Sequence, residues 1–242
     1  MDPTILIRLA VVSLASQLLY ASAGIEAPNS LDIPVPSFSQ TDTTAYMVAM
    51  NLSITYSVPI GFEGVPEDPE KSITITVSSS TIRGVLDELA MIDPRYEWRV
   101  GSDGVINIFP RRRSEALLDV KIAGFRVERV NRQQAIGTLL YSPEIARALT
   151  SLRVTERTPV TADTYQNTGS IPVFSLSLEG VSMRTALDAI TRASGSLFWA
   201  ATLYGKDLHY LSLTIAGSAP ATLHGEGNGQ ERQWRRRLGA GT

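Results

Sequence analysis

One block of this sequence occurs twice, and the repeat constrains the fold more than any other feature. The first copy runs from Ser72 to Pro110 and the second from Val173 to Ile215. An offset of 101 positions, as between Arg83 and Arg184, holds from the first strand through the helix to the next strand, and the last hairpin of the second copy is longer. Other positions identical in both copies include Leu86 and Leu187, Asp87 and Asp188, and Trp98 and Trp199. Because the apolar pattern around these positions is also shared, the sequence predicts a duplicated structural module.

Each copy has the pattern of a strand followed by a helix. Ile73, Ile75 and Val77 alternate with polar residues, which is the period of a strand with one buried face. The apolar residues that follow are spaced i, i+3, i+4 and i+7, as on one face of a helix: Ile82, Val85, Leu86 and Leu89. The matching apolar positions of the second copy are Phe174, Leu176, Leu178, Met183, Leu187 and Ile190.

Capping and turn residues set the limits of these elements. Thr81 and Ser182 are placed to cap the two helices, and Asp93-Pro94 and Ser194-Gly195 are placed to end them. In the first copy, Trp98 then opens a strand that turns at Ser102-Asp103-Gly104 into a hairpin partner. A helix with one apolar face that lies on such a sheet predicts a two-layer α+β unit.

A similar series of elements precedes each copy. Strands are expected over Leu31–Val35 and Leu118–Val127, and extended segments over Val58–Phe62 and Val154–Val160. A helix is expected over Thr43–Ile54, and a second one, interrupted by Pro143, over Arg132–Leu152. The predicted fold class is therefore α+β, with two tandem two-layer modules, each a small mixed sheet with two helices in the order β-α-β-β-α-β-β. The predicted domains are 31–110 and 117–215, with a spacer at 24–30, a linker at 111–116 and a disordered tail at 216–242.

The N-terminus has the pattern of a secretory signal. Arg8 precedes a short apolar run from Leu9 to Tyr20, and Ala21-Ser22-Ala23 offers the small residues of a cleavage site. Cleavage after Ala23 would place the mature chain in the periplasm or outside the cell. An uncleaved amphipathic N-terminus is the alternative. No later segment is long enough to cross a membrane.

Composition excludes several classes of function. The net charge of −2 gives no strong field that would attract nucleic acid or an anionic membrane. The absence of cysteine excludes disulfides, thiol catalysis and cysteine metal sites. The basic triplet Arg111–Arg113 is interpreted as a solvated linker, with phosphate contact as the alternative. No cofactor, metal site or catalytic residue is predicted.

The candidate site residues all have a structural interpretation that we favour. Trp98 and Trp199 are expected to close the ends of small cores, with a stacking platform as the alternative. Arg83 with Asp87, and Arg184 with Asp188, are expected to be surface ion pairs. An enzyme would need proton-transfer groups. Of the two histidines, His209 is placed in a predicted strand and His224 in the tail, and neither lies near a serine or aspartate pattern that suggests a triad. The carboxylates that could serve acid catalysis or a Ca²⁺ site are interpreted as residues of a solvated loop: Glu63, Glu67, Asp68 and Glu70. The glycine-rich segment 225–229 and Trp234 are interpreted as parts of a loose tail, and a docking peptide is the alternative for Trp234.

The two copies resemble the short N-terminal domain of secretins and TonB-dependent receptors, which is related to the N0 module of secretins. The residues that carry the resemblance are Ile73 to Phe109 and, less closely, Phe174 to Ile215. The resemblance implies a periplasmic protein-contact module without catalytic residues. The chain reaches Thr242 with no barrel or plug after the second copy, so we expect neither a secretin nor a receptor.

Three functions are compatible with this sequence. The leading hypothesis is a non-enzymatic protein that binds a protein partner in the cell envelope, through a sheet edge or a helix face. The alternative is a structural subunit that self-assembles into a homo-oligomer through its two like domains. An enzyme of unknown class is the third, less favoured reading.

Overall fold

The computed structural model describes residues 30–65, 71–112, 117–154, 156–162, 172–204 and 210–217. Its strands are β1 (Pro34–Thr43), β2 (Ile60–Glu63), β3 (Ile73–Thr81), β4 (Tyr96–Val100), β5 (Ile106–Pro110), β6 (Lys121–Val130), β7 (Glu156–Ala162), β8 (Phe174–Ser182), β9 (Phe198–Tyr204) and β10 (Tyr210–Ala216). Its helices are α1 (Ala45–Tyr56), α2 (Ile82–Ile92), α3 (Arg132–Leu140), α4 (Pro143–Ser151) and α5 (Met183–Ala193). We refer to residues 30–112 as the first half and to 117–217 as the second half.

The repeated block folds as its pattern predicts. The Thr81 side chain accepts a hydrogen bond from the backbone of Gly84 and begins α2, and Ser182 accepts one from Thr185 at the start of α5. Gly195 follows α5 with a φ of 68°, and Gly104 has a φ of 82° in the turn between β4 and β5. Both glycines therefore adopt left-handed backbone that other residues rarely adopt.

Two predicted strands begin later in the structure than in the sequence prediction. Ser30–Asp32 and Leu117–Asp119 form short 3-10 turns, and β1 and β6 start only after them. Each turn directs a leucine, Leu31 or Leu118, into the core. The two strands then pair antiparallel with β3 and β8, as separate two-stranded sheets.

Pro143 divides the predicted helix of the second half into two. It occupies the first turn of α4, where the missing N–H costs no hydrogen bond. Asn131 and Gln134 form a capping box at the start of α3. Among the described residues, the second half therefore contains three α-helices, and the first half contains the two that were predicted.

The remaining six strands form one continuous sheet that both halves share. Its order is β4-β5-β2-β9-β10-β7, and β2 of the first half pairs parallel with β9 of the second half. The backbone N–H of Ile60 donates to the Leu197 carbonyl at 2.8 Å, and that of Gly64 donates to the Ala201 carbonyl at 2.9 Å. This ladder joins the two halves in one sheet. The division into separate domains at 31–110 and 117–215 stays a prediction.

The two halves place their helices on opposite faces of the shared sheet. Side chains alternate between the faces along β9. Phe198 and Ala200 belong to the core under α1 and α2, and Trp199 and Ala201 belong to the core under α3 and α5. β9 also runs opposite to β4, its counterpart in the repeat, because β4 is antiparallel to β5 while β2 is parallel to both β5 and β9. The second half is therefore rotated relative to the first about an axis that lies in the plane of the sheet and perpendicular to the strands. This rotation reverses both the strand direction and the face that carries the helices.

The predicted α+β class is confirmed by these mixed sheets and helices. No helix in the described ranges combines the length and the apolar character needed to cross a membrane. The polar loop predicted at Thr161–Ser170 and the turn predicted near Tyr204–Asp207 fall largely outside the described residues.

Candidate functional site

The contact between the halves contains a buried polar cluster centred on α5. The Asp188 carboxylate accepts a hydrogen bond from Trp199 Nε1 at 2.7 Å and another from Asn107 Nδ2, in β5 of the first half, at 3.1 Å. Asp188 is 4% exposed. Because both carboxylate oxygens have a donor, this charge can be held away from water while it joins the two halves.

Arg184 lies one turn before Asp188 and also binds the first half. Its Nη1 lies 2.9 Å from Glu63 Oε2 in β2, and its Nη2 lies 3.2 Å from Asp119 Oδ1. The predicted surface ion pair between Arg184 and Asp188 is therefore wrong. The approach of β2 and β5 buries both side chains, and Arg184 takes acidic partners that lie far away in sequence.

The pKa of Asp188 is raised to about 7, chiefly by burial and in addition by the negative charge of Asp103. The hydrogen bonds from Trp199 and Asn107 and the positive charge of Arg184 oppose this shift. Burial dominates, because a carboxylate loses more hydration than these few donors replace. The buried contact between the halves therefore contains a group that titrates near neutral pH.

Close packing around Gly61 accompanies this cluster. Gly61 in β2 lies opposite Trp199 in β9, and a Cβ on Gly61 would lie 2.6 Å from Trp199 Nε1. Only glycine lets the indole ring cover the neighbouring strand at this position. On the other side of the sheet, the buried Ser53 hydroxyl lies 2.7 Å from the Leu197 carbonyl and 2.8 Å from the Val58 carbonyl.

The first half carries the same three residue types in an exposed position. We call Arg184, Asp188 and Trp199 the buried set, and Arg83, Asp87 and Trp98 the exposed set. In the exposed set, Trp98 Nε1 donates to Asp87 Oδ1 at 3.1 Å, and the Arg83 guanidinium lies 5.8 Å from the centre of the Trp98 ring. Arg83 and Asp87 are exposed and Trp98 is half-buried.

The exposed set lies at the end of the sheet. β4 is an outer strand that pairs only with β5 in the described part of the chain. Two large apolar side chains are exposed in the same region: Met91, on the helix stripe of Arg83 and Asp87, is 68% exposed, and Val100 at the end of β4 is 40% exposed. The tryptophans thus have two roles. Trp199 is buried in the second core, while Trp98 packs on the edge of the first core and remains accessible.

The structure distributes the other candidate residues as follows. Glu63 was interpreted as a solvated loop residue, and this is wrong, because it is the partner of Arg184. Arg111 and Arg112 are exposed at the end of β5, and the Arg111 side chain donates to the Tyr96 carbonyl. The remaining candidates lie outside the described residues: Glu67, Asp68, Glu70, Arg113, His209, His224, Trp234 and the segment 225–229.

Three residues of the contact were not identified from the sequence, and two of them have a visible signal. Gly61 interrupts an extended apolar segment, which is typical of close backbone approach. Asn107 is a single amide among apolar residues of β5, which is typical of a buried hydrogen-bond donor. Ser53 lies in α1, whose sequence does not separate into a polar and an apolar face, so nothing in the sequence distinguishes Ser53 from its neighbours.

An open groove of about 500 Å³ lies in the second half, between β6 and the α3–α4 corner. Phe125, Thr138, Tyr141 and Pro143 are among its lining residues. Among the described residues, no group of three or more histidine, aspartate or glutamate side chains is placed to hold a metal ion. No protein-family model, curated protein or solved structure matches this chain.

Proposed function

We propose that this chain is a secreted or periplasmic, non-enzymatic interaction module, similar to the N-terminal domains of secretins and TonB-dependent receptors. In this proposal it binds a protein partner of the cell envelope. The location rests on the signal predicted before Gly24, and the module type on the duplicated sequence pattern. The binding role is supported by the accessible surface at the end of β4.

The exposed set is the observation that carries this proposal. Its counterpart, the buried set, holds two parts of this chain together through a carboxylate, a guanidinium and an indole. The same groups are repeated at β4, which is an outer strand in the described part of the chain, and two large apolar side chains of α2 and β4 are also exposed, Met91 and Val100. Outer strands also present unpaired backbone groups, to which a partner strand can add.

Self-assembly is the alternative, and one observation favours it. The β2–β9 pairing joins unlike edges of the two halves, and contacts of this head-to-tail kind can continue from molecule to molecule. An enzyme of unknown class has less support. Asp188, the buried carboxylate with a strongly raised pKa, already accepts bonds from Trp199 and Asn107.

Affinity capture from an envelope fraction tests the proposed role. The bait is the wild-type chain, the variant Arg83→Glu at the exposed set, or the control Arg147→Glu, which makes the same charge change at an exposed position on α4 of the second half. We expect a protein that the wild type and the control retain and that Arg83→Glu loses. Identical proteins on all three baits would contradict the proposed binding surface.

A further inference from the structure

The contact between the halves provides a template for the partner of the free edge. In it, four consecutive residues of β2, Ile60 to Glu63, pair parallel with Phe198 to Ala201 of β9. Three features of this strand are used: the Ile60 N–H donates to the Leu197 carbonyl, Gly61 leaves room for Trp199, and Glu63 binds Arg184. A strand that docks on β4 in the same way needs the same features opposite the exposed set.

β7, the outer strand at the other end of the sheet in the described part of the chain, lacks all three features in its sequence. The hairpins β4–β5 and β9–β10 can be matched position by position through the cross-strand pairs Trp98–Ile108 and Trp199–Ile215. The strand registers then place residues of β7 at the positions equivalent to Ile60, Gly61 and Glu63, and these are Pro159, Val160 and Ala162. Proline has no N–H to donate, valine carries the Cβ that the indole excludes, and alanine has no carboxylate. A second copy of this chain therefore cannot dock through β7 in the geometry of the template.

Charges on β4 restrict the partner further. Glu97 and Arg99 occupy the positions of Phe198 and Ala200 in the repeat, on the face of the strand opposite to the tryptophan. In the template, Ile60 and Phe62 lie beside Phe198 and Ala200. A strand beside β4 would instead place its corresponding residues next to an acid and a base. Opposite charges at these positions would stabilise the pairing.

The geometry points to a partner strand from a different protein that adds parallel to β4, with a basic residue, a glycine and two acidic residues in sequence. The glycine lies against Trp98, the second acidic residue binds Arg83, and the flanking charges pair with Glu97 and Arg99. This inference rests on the proposed function and specifies the chemistry of the partner. It also excludes self-assembly through β4 and β7.

Selection from a library of random peptides displayed on phage tests this inference. The purified wild-type chain is the target, and peptides that also bind Arg83→Glu are removed. We expect enrichment of glycine with an acidic residue two positions later and a basic residue immediately before. Replacing that glycine by valine in a selected peptide should weaken binding about tenfold or more, since the Cβ meets the indole.

A charge exchange provides the decisive control. Arg83→Glu should weaken a selected peptide, and replacing the second acid of that peptide by lysine should restore binding to this variant. Arg147→Glu should leave binding unchanged. In light scattering, the wild-type chain should remain a monomer.

Two outcomes would overturn the inference. One is a set of peptides that depend on Arg83 and contain no such glycine and acid, which would leave the proposed interaction function intact. The other is an oligomer of the chain that Arg83→Glu dissociates. A failure of the proposed function itself differs from both, because then neither captured proteins nor selected peptides would respond to Arg83→Glu.

Discussion

Replacement of Asp188 by asparagine should make the protein more stable at pH 8 and remove much of its pH dependence. The asparagine oxygen can still accept the bond from Trp199. Asn107 Nδ2 donates to Asp188 in the wild type, so the Asn107 amide must turn over in the variant. Its Oδ1, a buried atom without a hydrogen-bond partner among the described residues, then accepts a bond from the new amide. The substitution thus exchanges the bond with Asn107 for one of the opposite direction, keeps the bond from Trp199, and removes a charge that is buried at 4% exposure.

The magnitude follows from the pKa of Asp188, which is raised to about 7 in the folded protein, against about 3.9 in an unfolded chain. Between these values the folded state binds more protons than the unfolded state. The stability contribution is therefore fully present below pH 4, and it is lost as pH rises through 7. From pH 5 to pH 8 the wild type should lose about 2.5 kcal/mol relative to Asp188→Asn.

Urea denaturation of both proteins at several values between pH 5 and pH 8, followed by circular dichroism, measures this difference. Asp93 determines how far the pH can be lowered in this experiment. Burial raises its pKa, but the Arg95 guanidinium lowers it more, so its contribution to stability is lost in acid. Because Asp93 is the same in both proteins, the difference isolates Asp188. Parallel pH profiles for the two proteins would refute the reasoning.

Two further substitutions test the contact between the halves. Gly61→Val should reduce the free energy of unfolding by about 3 kcal/mol, because the new side chain meets the Trp199 ring. The control Gly124→Val, at a glycine with open space around its Cβ position, should change it by less than about 0.5 kcal/mol. Equal effects of the two variants in urea denaturation would contradict the close approach of Gly61 to Trp199. Arg184→Ala should cost about 3 kcal/mol, since it leaves Glu63 half-buried without its cation, while Arg83→Ala at the repeated position should cost less than about 0.5 kcal/mol. A similar cost at both arginines, measured by thermal unfolding, would show that burial does not distinguish the two sets.

The outer strand β4 and its counterpart in the repeat, the inner strand β9, differ in a way that the sequence itself encodes. Glu97 and Arg99 on β4 replace Phe198 and Ala200 on β9, so the outer strand is charged where the inner strand is apolar. Charges on an outer strand protect it from unspecific pairing. This difference between the copies is a sequence signal for which strand is covered inside the chain and which one is free.

Local patterns were sufficient for most of the secondary structure. The alternation in Ile73–Val77, the apolar stripe of α2 and the caps at Thr81 and Ser182 are properties of residues close together in the chain, and each predicted its element correctly. The break at Pro143 follows from the missing N–H of one residue. These features establish the α+β class because each depends on the local period and on backbone chemistry.

The joining of the halves was decided only by tertiary structure. Arg83 with Asp87 and Arg184 with Asp188 have the same spacing, and local reasoning assigned both pairs to the surface. Strand β2 approaches β9 from far away in the sequence, buries the second pair and raises the pKa of Asp188. Burial and desolvation depend on which distant strands meet, and the period of a single segment does not contain that information.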